Sequence, residues 1–181
     1  IHNDEFWMDK AHQGSGLGTE VFGKQIENAQ ELGVDYIDCH AARTNPQDIT
    51  NPHNGYYTWP RFGYDQSIKD LDISGHSDLK RKIMEEFPQA ETILDVMLTK
   101  NGQDWWKKNG RDLFHAKFDL TPGSRSLKVF HLYLQERSNR AASKSLAMST
   151  NNLQSFSDLD IDDVGNGVEN MPLTDDDTAA L

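Results

Sequence analysis

Between Gln13 and Thr19 the chain places three glycines within five residues, Gly14-Ser15-Gly16-Leu17-Gly18, directly ahead of an amphipathic stretch. Glycine adopts positive φ and lets other groups approach the backbone closely. A helix beginning here offers unpaired N–H groups and the positive end of its dipole. Gln13, Gly14, Ser15, Gly16, Leu17, Gly18 and Thr19 therefore predict a turn suited to a phosphate or diphosphate. The helix is expected over 19–32, where Phe22, Ile26 and Ala29 fall at i, i+4 and i+7. Gly33 stands at its C-cap position. Residues 3–8 end in the apolar Phe6-Trp7-Met8 and read as a strand before the turn. Residues 34–39, Val-Asp-Tyr-Ile-Asp-Cys, alternate and read as a strand after the helix.

The remainder reads as loops and helices. Residues 41–55 are rich in Asn, Pro, Thr and Asp and predict a loop. In 56–64, Pro60 and Gly63 divide a short helix from the start of a strand, and a proline inside that helix should shorten or kink it. Ser77 caps a helix with Leu79, Ile83, Met84 and Phe87 on one face, ended by Pro88. Ile93, Leu94, Met97 and Leu98 form another face, and Trp105-Trp106 and Leu113-Phe114 are expected to pack among these helices. A last helix over 124–140 carries Leu127, Phe130 and Leu134.

Charge marks a further boundary. Eight acids and no Lys or Arg follow Lys144, so of the net charge of −11 only −3 belongs to residues 1–144. A segment so poor in bulky residues cannot offset its ordering entropy and is expected to be a disordered acidic tail. The folded part has no basic surplus to grip a nucleic-acid backbone, and no run is apolar and long enough for a membrane span. A single cysteine, Cys39, forms no intrachain disulfide, so a cytoplasmic setting is expected. The first residue is Ile, which suggests upstream residues of a longer parent chain.

Three nucleotide-type motifs compete for the glycine turn. A Walker A loop fails for want of its Lys. A dinucleotide fingerprint fits Gly14-x-Gly16 and has Asp38 at the distance of a ribose contact, but Thr19 stands where its third Gly belongs. The pattern Gln/Arg-x-x-Gly-x-Gly/Ala fits Gln13-x-x-Gly16-x-Gly18 fully. That pattern resembles motif A of the GNAT superfamily of N-acetyltransferases, and the likeness continues with helix, strand, the Asn-led Asn54-Gly55-Tyr56-Tyr57-Thr58-Trp59-Pro60-Arg61, and Phe62-Gly63-Tyr64 in the family's Leu-Gly-Phe position. It covers about residues 3–66. The Tyr-Tyr-Thr-Trp-Pro-Arg-Phe-Gly-Tyr run is similar to a divergent branch in bacterial and phage-borne proteins.

The resemblance implies an α/β fold: a partial GNAT-like mixed sheet over 1–72, a mainly helical extension over 73–144 and the acidic tail over 145–181. It implies acetyl-CoA as co-substrate, held at Gln13 to Thr19 and Asn54, and an amine acceptor, small molecule or protein. The roughly three strands and two helices that precede motif A in the family, and supply much of its acceptor site, are absent from this sequence. In the family a carboxylate or water relay acts as base, which points to Glu5 with Asp4 beside it. A tyrosine on the later helix protonates the leaving thiolate, and here Trp59 occupies that position, which leaves Tyr57 or Tyr56. The alternative is a non-catalytic GNAT-like binding or assembly module of a larger, phage-related protein. A dinucleotide-binding oxidoreductase is the third reading.

Other constellations carry less. The histidines lack metal-ligand spacing, so no metal is expected. Cys39 and His40 are adjacent on a strand and point to opposite faces. Asp158, Asp160, Asp162 and Glu169 imitate a calcium loop, but Asp163 takes the position that needs glycine. Trp105-Trp106-Lys107-Lys108 has no wider basic patch around it.

Overall fold

Helix α1 (Leu17–Glu31) buries Thr19, Phe22, Ile26 and Ala29 along one side, as the apolar spacing requires. The computed structural model describes residues 1–3, 6, 9–12, 14–44, 54–72 and 75–157. Within 1–138, one compact unit, β1 (His2–Asn3) pairs parallel with β2 (Tyr36–Ala41), with α1 as the crossover. β3 (Leu113–Asp119) pairs antiparallel with the other side of β2, giving the order β1-β2-β3. Beyond β3 the Asp65–Lys117 bridge extends the pairing, with both amide-to-carbonyl bonds at 2.8 Å. The fold is a mixed α/β arrangement around a small mixed sheet.

The covered face of the sheet follows the strand alternation. Ile37, Cys39 and Ala41 of β2 and Leu113, Ala116 and Phe118 of β3 are buried. Phe22 is the hub of the core, with ring centroids of Trp59, Phe62, Tyr64, Phe118 and Phe130 at 5.2–5.6 Å. The outward residues form pairs of their own. The Lys117 ammonium lies 4.7 Å from the Tyr36 ring, and His40 stacks on Phe114 at 4.6 Å.

Strand β3 departs from the expectation that 113–114 pack among helices. A register shift opposite Cys39–Ala41 leaves both Phe114 and His115 facing outward, which breaks the period-2 pattern a strand normally displays. The stretch 73–144 otherwise holds α3 (Ser77–Glu86), α4 (Ile93–Met97), α5 (Lys100–Asn109) and the start of α6 (Arg125–Ser157).

Helix α2 (Gly55–Phe62) is the short helix expected here, and it carries Pro60 inside it. Proline deprives the carbonyl four residues earlier, that of Tyr56, of its amide donor. The Trp106 indole of α5 donates to that carbonyl at 2.8 Å, so the helix continues two residues further. It stops at Gly63 (φ 110°), where a side chain would collide with the Ser126 carbonyl of α6.

The second unit is 139–181, of which 139–157 are described and helical. The tail was expected from 145, yet helix persists through Ser157. Ala141, Ala142, Leu146, Ala147 and Met148 are strong helix formers and account for its continuation past 145. Residues 158–181, including the calcium-like acids, lie outside the described residues.

Candidate functional site

The glycine turn has the backbone its sequence demands. Gly14 (φ 76°) and Gly16 (φ 100°) adopt the left-handed region, and Gly16 is the N-cap of α1. Ser15 fastens the turn. Its hydroxyl donates to the His12 carbonyl at 2.6 Å and accepts from the Leu17 amide at 3.2 Å. The Thr19 and Glu20 amides both reach the Gly16 carbonyl, at 3.0 and 3.2 Å. Among the described residues the amides of Gly16 and Gly18 have no acceptor. The turn therefore keeps two backbone donors at the positive end of the helix.

The cradle is not bare. The Arg137 guanidinium of α6 donates to the Thr19 hydroxyl at 2.9 Å and to the Ser15 carbonyl at 3.0 Å. Its Nη2 occupies the space that a Cβ on Gly16 would take. A glycine is thus required here twice, by φ and by the guanidinium laid against it. Sequence reasoning missed Arg137. The signal lay in the helical repeat, since Arg137 follows Phe130 by seven residues and Leu134 by three, on the side that faces α1. A cation at the positive end of a helix raises the local potential, which favours an anion at this spot.

The other expected site residues divide between two places. Gln13 and Glu5, with Asp4, lie outside the described residues. Leu17 is partly exposed in the first turn of α1, and Gly18 follows it. Asn54 is the N-cap residue of α2, and its Oδ1 accepts the Thr58 hydroxyl at 3.0 Å. Tyr57 is half-buried, with the Arg61 guanidinium 5.5 Å and the Lys107 ammonium 5.7 Å from its ring and the Tyr56 ring tilted beside it at 6.5 Å. Tyr56 donates its hydroxyl to the Lys107 carbonyl at 2.8 Å. Trp59 is 9 % exposed and packs edge-on against Phe22, with Tyr64 tilted beside it at 5.0 Å.

Two buried ionisable groups are set far from useful chemistry. Burial, with the Asp38 charge second, pushes the Cys39 thiol up to about 12. Its neighbour His40 faces outward on Phe114, so no Cys–His pair forms. Burial likewise drives the Tyr64 phenol strongly upward, with Cys39 beside it adding to the shift.

Among the described residues no group of three or more His, Cys, Asp or Glu could hold a metal ion. Among them, too, no helix is long and apolar enough to cross a membrane. Neither a protein-family model nor a curated protein nor a solved structure matches the chain.

Proposed function

We propose that this chain is a GNAT-like acyl-CoA-binding domain related to the N-acetyltransferases, with the coenzyme's diphosphate at the glycine turn. One observation carries the reading: left-handed Gly14 and Gly16 head a crossover helix between parallel strands, and among the described residues the Gly16 and Gly18 amides have no acceptor. Two amide donors at the start of α1, with the Arg137 guanidinium held nearby on the Thr19 hydroxyl and the Ser15 carbonyl, are groups of the kind a diphosphate takes, and they support the reading. The Asn54-capped helix and the Tyr64-Asp65 segment bridging to β3 follow in the order of the resemblance and support it further. Bound acetyl-CoA would supply the acetyl group for an amine. This chain's own part is to bind and orient the coenzyme.

A second reading, a non-catalytic module for binding or assembly, gains from Trp59. An indole N–H is a poor acid, and here the ring is sealed in the aromatic core at the position where the family keeps a proton donor. The third reading, a dinucleotide-binding oxidoreductase, stays disfavoured by Thr19, whose hydroxyl accepts from Arg137.

Calorimetric titration with acetyl-CoA, CoA and NAD tests the proposal. Binding of both CoA species and not of NAD is expected, with loss of binding in Gly18→Val. Absence of CoA binding by the unaltered chain refutes the reading. Thiol release in the presence of amines then separates a transferase from a binding module.

A further inference from the structure

We infer that the cleft between α2, α4 and α6 binds a short aliphatic carboxylate, with the Arg61 guanidinium as its anion anchor. This site is separate from the glycine turn, and its assignment does not rest on the acyl-CoA reading.

The cleft encloses about 100 Å3. Leu94, Met97, Val129 and Leu132 form its apolar wall. Leu94 and Met97 are buried at its floor, whereas Leu132 is 59 % exposed. Apolar cavities of about 150 Å3 accept benzene, so a smaller cleft with an exposed wall suits the tail of a short acid. The wall is aliphatic, which matches a chain better than a ring.

Arg61 sits at the rim, in the last turn of α2. Its guanidinium carbon lies 5.5 Å from the Tyr57 ring and 5.2 Å from the Tyr133 ring. Contact with two rings restrains the guanidinium but uses none of its N–H donors. Among the described residues those donors have no acceptor and no acidic partner. Other arginines differ: Arg125 pairs with Asp95 at 2.7 Å and Arg81 with Glu85 at 2.8 Å, and Arg43 and Arg137 donate to backbone carbonyls. The Tyr57 and Tyr133 hydroxyls likewise make no hydrogen bond among the described residues. A planar fork with free donors, fixed beside an aliphatic wall, is complementary to a carboxylate carrying an alkyl tail. Glu136 also lines the cleft and has an interaction of its own. It makes the sign of the ligand's charge the decisive variable.

The test uses the full chain with 13C-labelled Leu, Val and Met methyls, titrated separately with hexanoate, hexylammonium and 1-hexanol. Hexanoate is expected to shift the Met97, Val129 and Leu132 methyls saturably and to bind about tenfold tighter than hexylammonium. Arg61→Gln should lose about tenfold in hexanoate affinity, with Arg61→Lys in between. Val129→Phe should fill the cleft and abolish the shifts, an arm that leaves the anchor untouched. Equal or tighter binding of hexylammonium overturns the proposal. So does unchanged affinity in Arg61→Gln, a set of shifts elsewhere on the protein, or no saturable binding of hexanoate.

Discussion

The contact between Gly16 and Arg137 can be measured by a double-mutant cycle. Gly16→Ala brings two costs. The first is conformational, since a side chain at φ 100° is strained by about 1–2 kcal/mol. The second is steric, because the new Cβ takes the place of the Arg137 Nη2 and expels the guanidinium. Its bond to the Thr19 hydroxyl, partly buried, and its bond to the exposed Ser15 carbonyl are then lost. A charged hydrogen bond is worth about 1.5–3 kcal/mol, and exposure reduces the second, so the pair together contribute about 2 kcal/mol. Gly16→Ala should cost about 3–4 kcal/mol in the unaltered chain and Arg137→Ala about 2 kcal/mol alone. In the Arg137→Ala background only the conformational part of Gly16→Ala remains, so the double variant should lose about 3–4 kcal/mol, well short of the sum. Urea unfolding of the four proteins gives the coupling directly. Additivity to within about 0.5 kcal/mol would show that the guanidinium does not stand on the turn.

Trp106→Phe should destabilise by about 2–4 kcal/mol, because the Tyr56 carbonyl loses the indole donor that takes the place of the Pro60 amide; adding Pro60→Ala should return part of this, and an equal or larger loss in the double variant argues against the role given to the indole. Asp65 is held above its ordinary 3.8, chiefly by burial, so the folded state binds its proton more tightly than the unfolded one. Its carboxyl therefore favours folding most below 3.8, and this contribution is lost as the pH rises through the folded value. Asp65→Asn keeps an oxygen for the Gln66 and Leu94 amides and should gain stability relative to the parent over the range in which the pH rises above 3.8 and through the folded value. Urea midpoints that differ by a constant across that range would disprove the assignment.

The parts legible in the sequence are those whose pattern is local. Phe22, Ile26 and Ala29 announce α1 through helical spacing, and Ile37 and Cys39 announce β2 through alternation. The glycine turn is equally local, since Gly14 and Gly16 take the backbone that only glycine adopts freely. What escaped depends on partners distant in sequence. β3 hides because the bulge at Phe114 and His115 exists only opposite β2. Pro60 reads only as a strain on its helix, and the Trp106 indole that satisfies the orphaned Tyr56 carbonyl lies fifty residues further along the chain. Arg137 reads as a surface cation until α6 is laid against α1.

The pairing of β2 with β3 also fixes an order of events at the ribosome. Ala41 and Leu113 face each other, although the chain between them makes α2, α3, α4 and α5 first. Until β3 emerges, β2 has an unpaired edge and Phe22 lacks Phe118 and Phe130. A nascent chain halted before Leu113 would expose sticky backbone and aromatic surface together. Such a species invites association with other chains or with chaperones.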